Sequence, residues 1–246
     1  MGSLKAIASF VLLCAFALPA AHAGGQQLPN LVPDPPFDVL IGRGDQQAGV
    51  ALRFSTRTKN LSPFGFDVLS GLDPAAVEHP PALQCVAWAS PRTCTAREDV
   101  GRFEFHPQHD HWHIQDYALY ELRGVRPDGT PDMGPEGLVV PGVKASFCLL
   151  DAERIEETDD PTAAIPFYTA ACSLGLQGIS AGWADVYGSG LPGQQVRIDD
   201  VADGVYALVI TVNPEGFIRE ATQQDNVAWA MIELRNQGTM VNVIEP

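Results

Sequence analysis

Several things are scarce in this chain, and each scarcity narrows the reading. Basic side chains number 15 against 30 acidic ones, giving a net charge of −15. A surface of that sign repels nucleic acid and favours cationic partners, amines among them. No CxxC pair occurs, so a thiolate zinc knuckle is excluded. Helical periodicity is poor, and 20 prolines and 23 glycines break the sequence into short pieces. Internal repeats and long linkers are missing, which favours one domain. Histidine is rare outside one octapeptide, and no apolar run after residue 18 matches the one at residues 6–18.

That first run is informative. Lys5, the apolar stretch Ala6 to Leu18, Pro19 and the small-residue end Ala21-His22-Ala23 follow the order of a secretory signal peptide. The stretch is short for a membrane span, which needs about 20 residues. Cleavage after Ala23 is expected, leaving residues 24–246 as a secreted or periplasmic protein with no membrane segment; an uncleaved anchor is the alternative. Cys14 follows Leu13, which argues against a lipid anchor there. Four cysteines then remain, Cys85, Cys94, Cys148 and Cys172. An even number in an oxidising compartment suggests disulfides. Of three pairings, Cys85–Cys94, which closes a short loop, with Cys148–Cys172 is favoured.

Short runs rich in β-branched and aromatic residues, bounded by Gly, Pro, Asn or Asp, read as strands. They are 37–41, 50–56, 64–69, 103–105, 112–122, 145–150, 184–187, 194–198, 205–212 and 227–234. The Pro-rich lead-in at 26–36 suits neither a helix nor a central strand. Residues 152–158 read as a helical turn or two. The expected fold is all-β: a single-domain β-sandwich with long loops at 71–100, 124–142 and 151–171, braced by disulfides.

Four of the six histidines fall in His106-Pro107-Gln108-His109-Asp110-His111-Trp112-His113. Neutral imidazole is a common metal ligand, and alternate residues of a strand share a face. His109, His111 and His113 therefore point one way. Residues i and i+4 of a straight strand lie roughly 13 Å apart, so convergence on one ion needs a bend or a bulge. All-nitrogen sites suit copper or zinc, and spacing alone does not choose between them.

The segment from His106 to Leu122 resembles the copper-binding segment of lysyl oxidases. Lys144-Ala145-Ser146-Phe147-Cys148-Leu149-Leu150-Asp151 is similar to that family's Lys-Ala-Ser-Phe-Cys motif, and Gln177 to Gly188 to its cofactor-tyrosine segment. The likeness runs from Leu28 to about Leu234. It implies copper held by His109, His111 and His113, and a lysine tyrosylquinone formed from Lys144 and Tyr187. It implies an amine oxidase that converts primary amines, small or peptidyl lysine, to aldehydes with O2, releasing H2O2 and ammonia. Asp185, two residues from Tyr187, is the favoured base, with His106 as the other candidate. Gln108 stands where animal relatives carry a cysteine, which leaves Cys172 to Cys148. A calcium ion is implied in some members; Asn30, Glu220, Asp225 and Asn226 offer oxygen ligands here, with Thr222 where an Asp is expected. No basic pro-region is present, so collagen or elastin is not implied.

Plainer readings stand beside these. Lys144 alone is an ordinary surface lysine and Tyr187 alone a half-buried strand tyrosine. Gly178-Ile179-Ser180-Ala181-Gly182 fits a nucleophile-elbow pattern, but no histidine follows His113, so it reads as a turn. An exported non-enzymatic copper-binding sandwich needs the histidines without Lys144 or Tyr187. A zinc hydrolase would use the same imidazoles around an open position.

Overall fold

The computed structural model describes residues 27–45, 49–72, 77–90, 93–107, 110–155, 165–169, 172 and 175–244. The signal-peptide segment and His109 lie outside the described residues. Fifteen strands form in chain order: β1 (Leu31–Pro33), β2 (Phe37–Arg43), β3 (Val50–Asn60), β4 (Phe66–Leu69), β5 (Pro81–Ser90), β6 (Thr93–His106), β7 (His111–Arg123), β8 (Leu138–Phe147), β9 (Glu153–Arg154), β10 (Gln177–Ile179), β11 (Trp183–Tyr187), β12 (Gln195–Arg197), β13 (Gly204–Val212), β14 (Val227–Arg235) and β15 (Met240–Ile244). The only helical element among the described residues is a 3-10 turn, Pro135–Gly137.

Two sheets pack face to face. The first runs β1-β3-β11-β9, with β2 and β12 also pairing β3. The second runs β10-β4-β5-β6-β7-β13-β14-β15, with β8 on β7. The expected sandwich is therefore present, with both expected disulfides. β3 shows why it holds. Leu52 and Phe54 turn an apolar face to the second sheet, where the Phe54 ring meets Tyr120 of β7 edge-on at 4.9 Å. Burying a side chain of this size stabilises the fold by about 1.5–3 kcal/mol. Further along the same face β3 turns polar: Thr56, Thr58 and Asn60 are buried too. Across from them in register lie Tyr187 (to Thr56) and Asp185 (to Thr58) of β11. One half of the sandwich interior is thus oily and the other half carries hydrogen-bonding groups.

Strand β7 positions the site because it serves two neighbours along one edge. Its first residues pair with β6 (His106↔His111, Glu104↔His113) and its later ones with β13. On its other edge lies β8, and there the register slips. Between Ile114↔Phe147 and Ala118↔Ala145, β7 advances further than β8. The extra residues form a bulge at Asp116, whose φ is 52°. Bulges bend a strand and re-aim its side chains.

Several expectations need correction. The stretch 71–100 is not a long loop: Pro81 to His106 is largely the β5–β6 hairpin, with Cys85–Cys94 tying its strands. Its sequence is small and polar, and the outer part of β6 is solvated on both faces, so it lacks the alternation that marks a half-buried strand. Residues 152–155 are extended as β9 rather than helical, held by Ala152 N–H to Ala184 C=O at 2.9 Å. β8 starts at Leu138 and ends at Phe147, seven residues earlier and three earlier than read. β15 was not expected.

Candidate metal and tyrosine site

The bend needed to gather imidazoles comes from a hairpin. β6 ends at His106 and β7 begins at His111, and the two strands pair antiparallel. His106 and His111 become cross-strand partners. The His106 ring stacks on His113 at 4.9 Å, and His111 lies 4.9 Å from His113, centroid to centroid. The His111 and His113 Nε2 atoms are 2.9 Å apart. Two nitrogens each about 2.0–2.1 Å from one ion can be that close. His113 is buried, and its Nδ1–H donates to the Ser146 carbonyl at 3.1 Å. That bond leaves the Nε2 lone pair as the donor and fixes the ring, as an outer partner does for a metal-ligating imidazole. Burial lowers the His111 pKa, and the neighbouring His106 adds to this while Asp110 opposes it. That direction favours the neutral, ligating form. This donor set fits a copper ion.

The same piece of β8 holds the tyrosine. The Cys148 N–H donates to the Tyr187 hydroxyl at 2.7 Å, and that hydroxyl donates to the Cys148 carbonyl at 3.0 Å. The Tyr187 ring packs on Phe147, 4.1 Å between centroids. Burial, reinforced by the charge of Asp185, drives the phenol pKa far upward. Lys144 lies on β8 opposite Leu119 of β7. Its position is three residues before Phe147, roughly 10 Å of extended strand. Lys144 and the Tyr187 ring are thus brought to one strand, at separate positions along it.

Asp185 is 2% exposed, and neither carboxyl oxygen is held by a side-chain donor. Burial holds its pKa well above the carboxylate range, partly opposed by the Val186 amide. It shares the interior face of β11 with Tyr187, and its charge acts on Tyr117, Tyr120 and Tyr187 alike.

Two side chains that the sequence did not single out complete the arrangement. Gln177 donates to the Trp112 carbonyl at 2.8 Å and accepts from Leu149 N–H at 3.3 Å, joining the start of β7 to the end of β8. Asp151 accepts from Phe167 N–H, Tyr168 N–H, Ser180 N–H and the Ser180 hydroxyl. Its place within the Lys144–Asp151 motif was the available signal. Ser180 is thereby committed to a turn, with Gly182 at φ 75°, as the lack of a histidine partner suggested.

The oxygen ligands suggested for calcium also meet. Glu220 accepts from Leu31 N–H (2.9 Å) and from the Asn213 and Asn226 amides (2.8 Å each). Asn30 donates to Asp225 at 3.0 Å. Asn30 Oδ1, Asp225 Oδ1 and Asn226 Oδ1 are buried without a hydrogen-bond partner. Buried acceptors left so are costly unless something satisfies them, and a hard cation takes oxygen ligands of this kind. Burial raises the Glu220 pKa to about 7.

An all-β sandwich with a hairpin-borne imidazole cluster beside a buried tyrosine defines a candidate metal-dependent redox protein. A family profile described as lysyl oxidase matches residues 90–244, more than half of the chain. The chain belongs to the lysyl oxidase family. It is 32% identical to human protein-lysine 6-oxidase over 127 residues, 51% of this chain and 26% of that protein. Xenopus tropicalis lysyl oxidase homolog 2 is 33% identical over 137 residues, 53% of this chain and 15% of the other. Human lysyl oxidase homolog 1 is 28% identical over 213 residues, 84% and 33% respectively. The matched segments thus span a third or less of these relatives' lengths.

Proposed function

We propose that this chain is an exported copper- and quinone-dependent amine oxidase. It would convert a primary amine, O2 and water to an aldehyde, ammonia and H2O2. His109, His111 and His113 would hold copper, and Lys144 and Tyr187 would supply the lysine tyrosylquinone. The observation that carries this reading is the segment Ser146–Cys148. Its Ser146 carbonyl anchors His113, and two residues on its Cys148 backbone clasps Tyr187. Those anchor points are about 7 Å apart in an extended chain, so the imidazoles and the phenol belong to one site.

Bound copper would supply one-electron redox chemistry with O2 for maturing the tyrosine ring. The protein's part is to position groups and manage protons. The Ser146 carbonyl keeps His113 in one tautomer. The Phe147 ring, itself backed by Tyr117 at 5.0 Å, covers one side of the buried Tyr187 ring. Asp185, raised in pKa and without side-chain donors, would be the group to take and return the substrate proton; a raised pKa makes it a stronger base once ionised. Lys144, on β8 opposite Leu119, would supply the amine that joins the Tyr187 ring. The net negative charge favours amine substrates. The two disulfides support export, with residues 24–246 as the catalytic domain.

The test is H2O2 release from a panel of amines by copper-loaded protein, with Lys144→Ala and Tyr187→Phe alongside. Turnover of at least one amine is expected, lost in both variants, together with a linked 144–187 peptide by mass spectrometry. Unchanged turnover in either variant would remove the proposed cofactor.

A further inference from the structure

The Cys148–Cys172 disulfide is buried, each residue 2% exposed, and it lies against the histidine hairpin. A ring nitrogen of His111 and the two sulfurs all sit within 4.8 Å of one another. An imidazole nitrogen about 2.0–2.1 Å and a thiolate sulfur about 2.3 Å from one ion lie within such a distance of each other, and the two sulfurs, bonded here, need only part to reach the same ion. The backbone strengthens the link: the Trp112 N–H, next to His111, donates to the Cys172 carbonyl at 3.2 Å. Cys172 itself is held at φ 43°, a conformation a non-glycine residue seldom adopts.

We propose that before this disulfide forms, Cys148, Cys172 and His111 make a site for a thiophilic ion of the Zn(II) or Cu(I) class, and that oxidation of the two cysteines closes it. Two thiolates and a neutral imidazole around a divalent ion carry no net charge. Such a site avoids the cost of an uncompensated charge in a buried position. Binding releases the two thiol protons. Closure is a two-electron exchange with a disulfide-class oxidant: the two protein thiols become one S–S bond, and the oxidant's disulfide is reduced to two thiols. The bonded sulfurs no longer offer thiolates, so the ion leaves.

His111 belongs to both clusters. Disulfide formation therefore commits it to His113 and sets an order of assembly: thiols first, imidazoles second. Because Cys148 also clasps the Tyr187 hydroxyl, the same bond steadies the tyrosine. This proposal stands on the positions of three side chains and fails or survives independently of amine oxidation.

The test uses the full chain carrying Cys85→Ala and Cys94→Ala, so that the other cysteine pair cannot bind metal. It is reduced anaerobically with a phosphine, which takes the oxygen of water as the disulfide becomes two thiols. Co(II) is then added as the probe, and sulfur-to-cobalt charge-transfer absorption is recorded beside the far-UV sheet signal. One equivalent should bind with a strong band in the reduced chain and none in the oxidised chain. The band should vanish in the further variants Cys148→Ser and Cys172→Ser. In the further variant His111→Ala it should require about ten- to hundredfold more Co(II). A band indifferent to His111→Ala overturns the proposal, as does a reduced chain that keeps its sheet signal without a band. Loss of the sheet signal on reduction also overturns it, since no formed site would then exist.

Discussion

Two buried or partly buried carboxyls sit in the polar half of this sandwich, and their surroundings differ in one respect. Glu220 receives three hydrogen bonds, from Leu31 N–H and the amides of Asn213 and Asn226. Asp185 meets no side-chain donor, and only the adjacent Val186 amide acts on it. Burial raises the pKa of both, but donors restrain the shift of Glu220 to about 7 whereas Asp185 goes well beyond the carboxylate range. Both fields reach Tyr117, whose pKa burial raises and the two carboxyls raise further. The contrast separates two uses of a buried acid. Glu220 joins the lead-in strand β1 to the 213–226 loop, where donors are plentiful. Asp185 is left without side-chain donors beside the tyrosine that the proposed oxidase would modify, which suits a group that must exchange a proton.

The strongest way to break that contrast is Asp185→Asn. If Asp185 handles the substrate proton, the change should cut amine turnover by about 10²–10⁴-fold. Thermal stability near neutral pH should hold or rise, because the amide keeps the shape of a neutral carboxyl and cannot ionise. Parallel kcat and melting measurements check this; a stability loss with turnover intact would make Asp185 a packing residue.

The next test uses pH. A folded-state pKa raised above the unfolded value means the folded chain keeps a proton that the unfolded chain has lost, so stability falls as pH rises. For Glu220 that fall should run from about pH 4.5 to about pH 7 and amount to at most about 3 kcal/mol in metal-free protein. For Asp185 it should begin in the same range and continue upward. Denaturant unfolding at a series of pH values should show Glu220→Gln flattening the slope only below about pH 7 and Asp185→Asn flattening it both there and above. Identical slopes in wild type and both variants would mean neither carboxyl is perturbed.

The two regions were not equally legible in the sequence. The imidazole cluster was, because four histidines in an otherwise histidine-poor chain stand out and strand periodicity gives them a face. The hairpin that gathers them was not, since it depends on β6, whose polar, small residues give no alternation. Both disulfides and ten strand segments could be read, while β5 and most of β6 merged into an expected loop. The clasp of Tyr187 by the Cys148 backbone was hidden, because it joins strands of the two sheets in a way that one chain's pattern does not encode. The isolation of Asp185 was hidden too: its position in Trp-Ala-Asp-Val-Tyr says which face it shares, not whether a donor meets it.

The smallest effect expected from the comparison concerns the cation. Three oxygens around Glu220, those of Asn30, Asp225 and Asn226, lack partners, and a calcium ion there would satisfy them and hold Glu220 ionised. A ligand that binds only the folded state stabilises it by about 2.7 kcal/mol at a hundredfold excess over Kd. Melting temperature at neutral pH should therefore rise with added Ca2+ and fall back with a chelator. Mg2+ should do less, because it needs a tighter octahedral shell. Asp225→Ala should abolish the shift while leaving the Asp185 pH slope in place. If saturating Ca2+ moves wild type and Asp225→Ala equally, the unpartnered oxygens near Glu220 are met by water, and the contrast with Asp185 reduces to the number of backbone and amide donors alone.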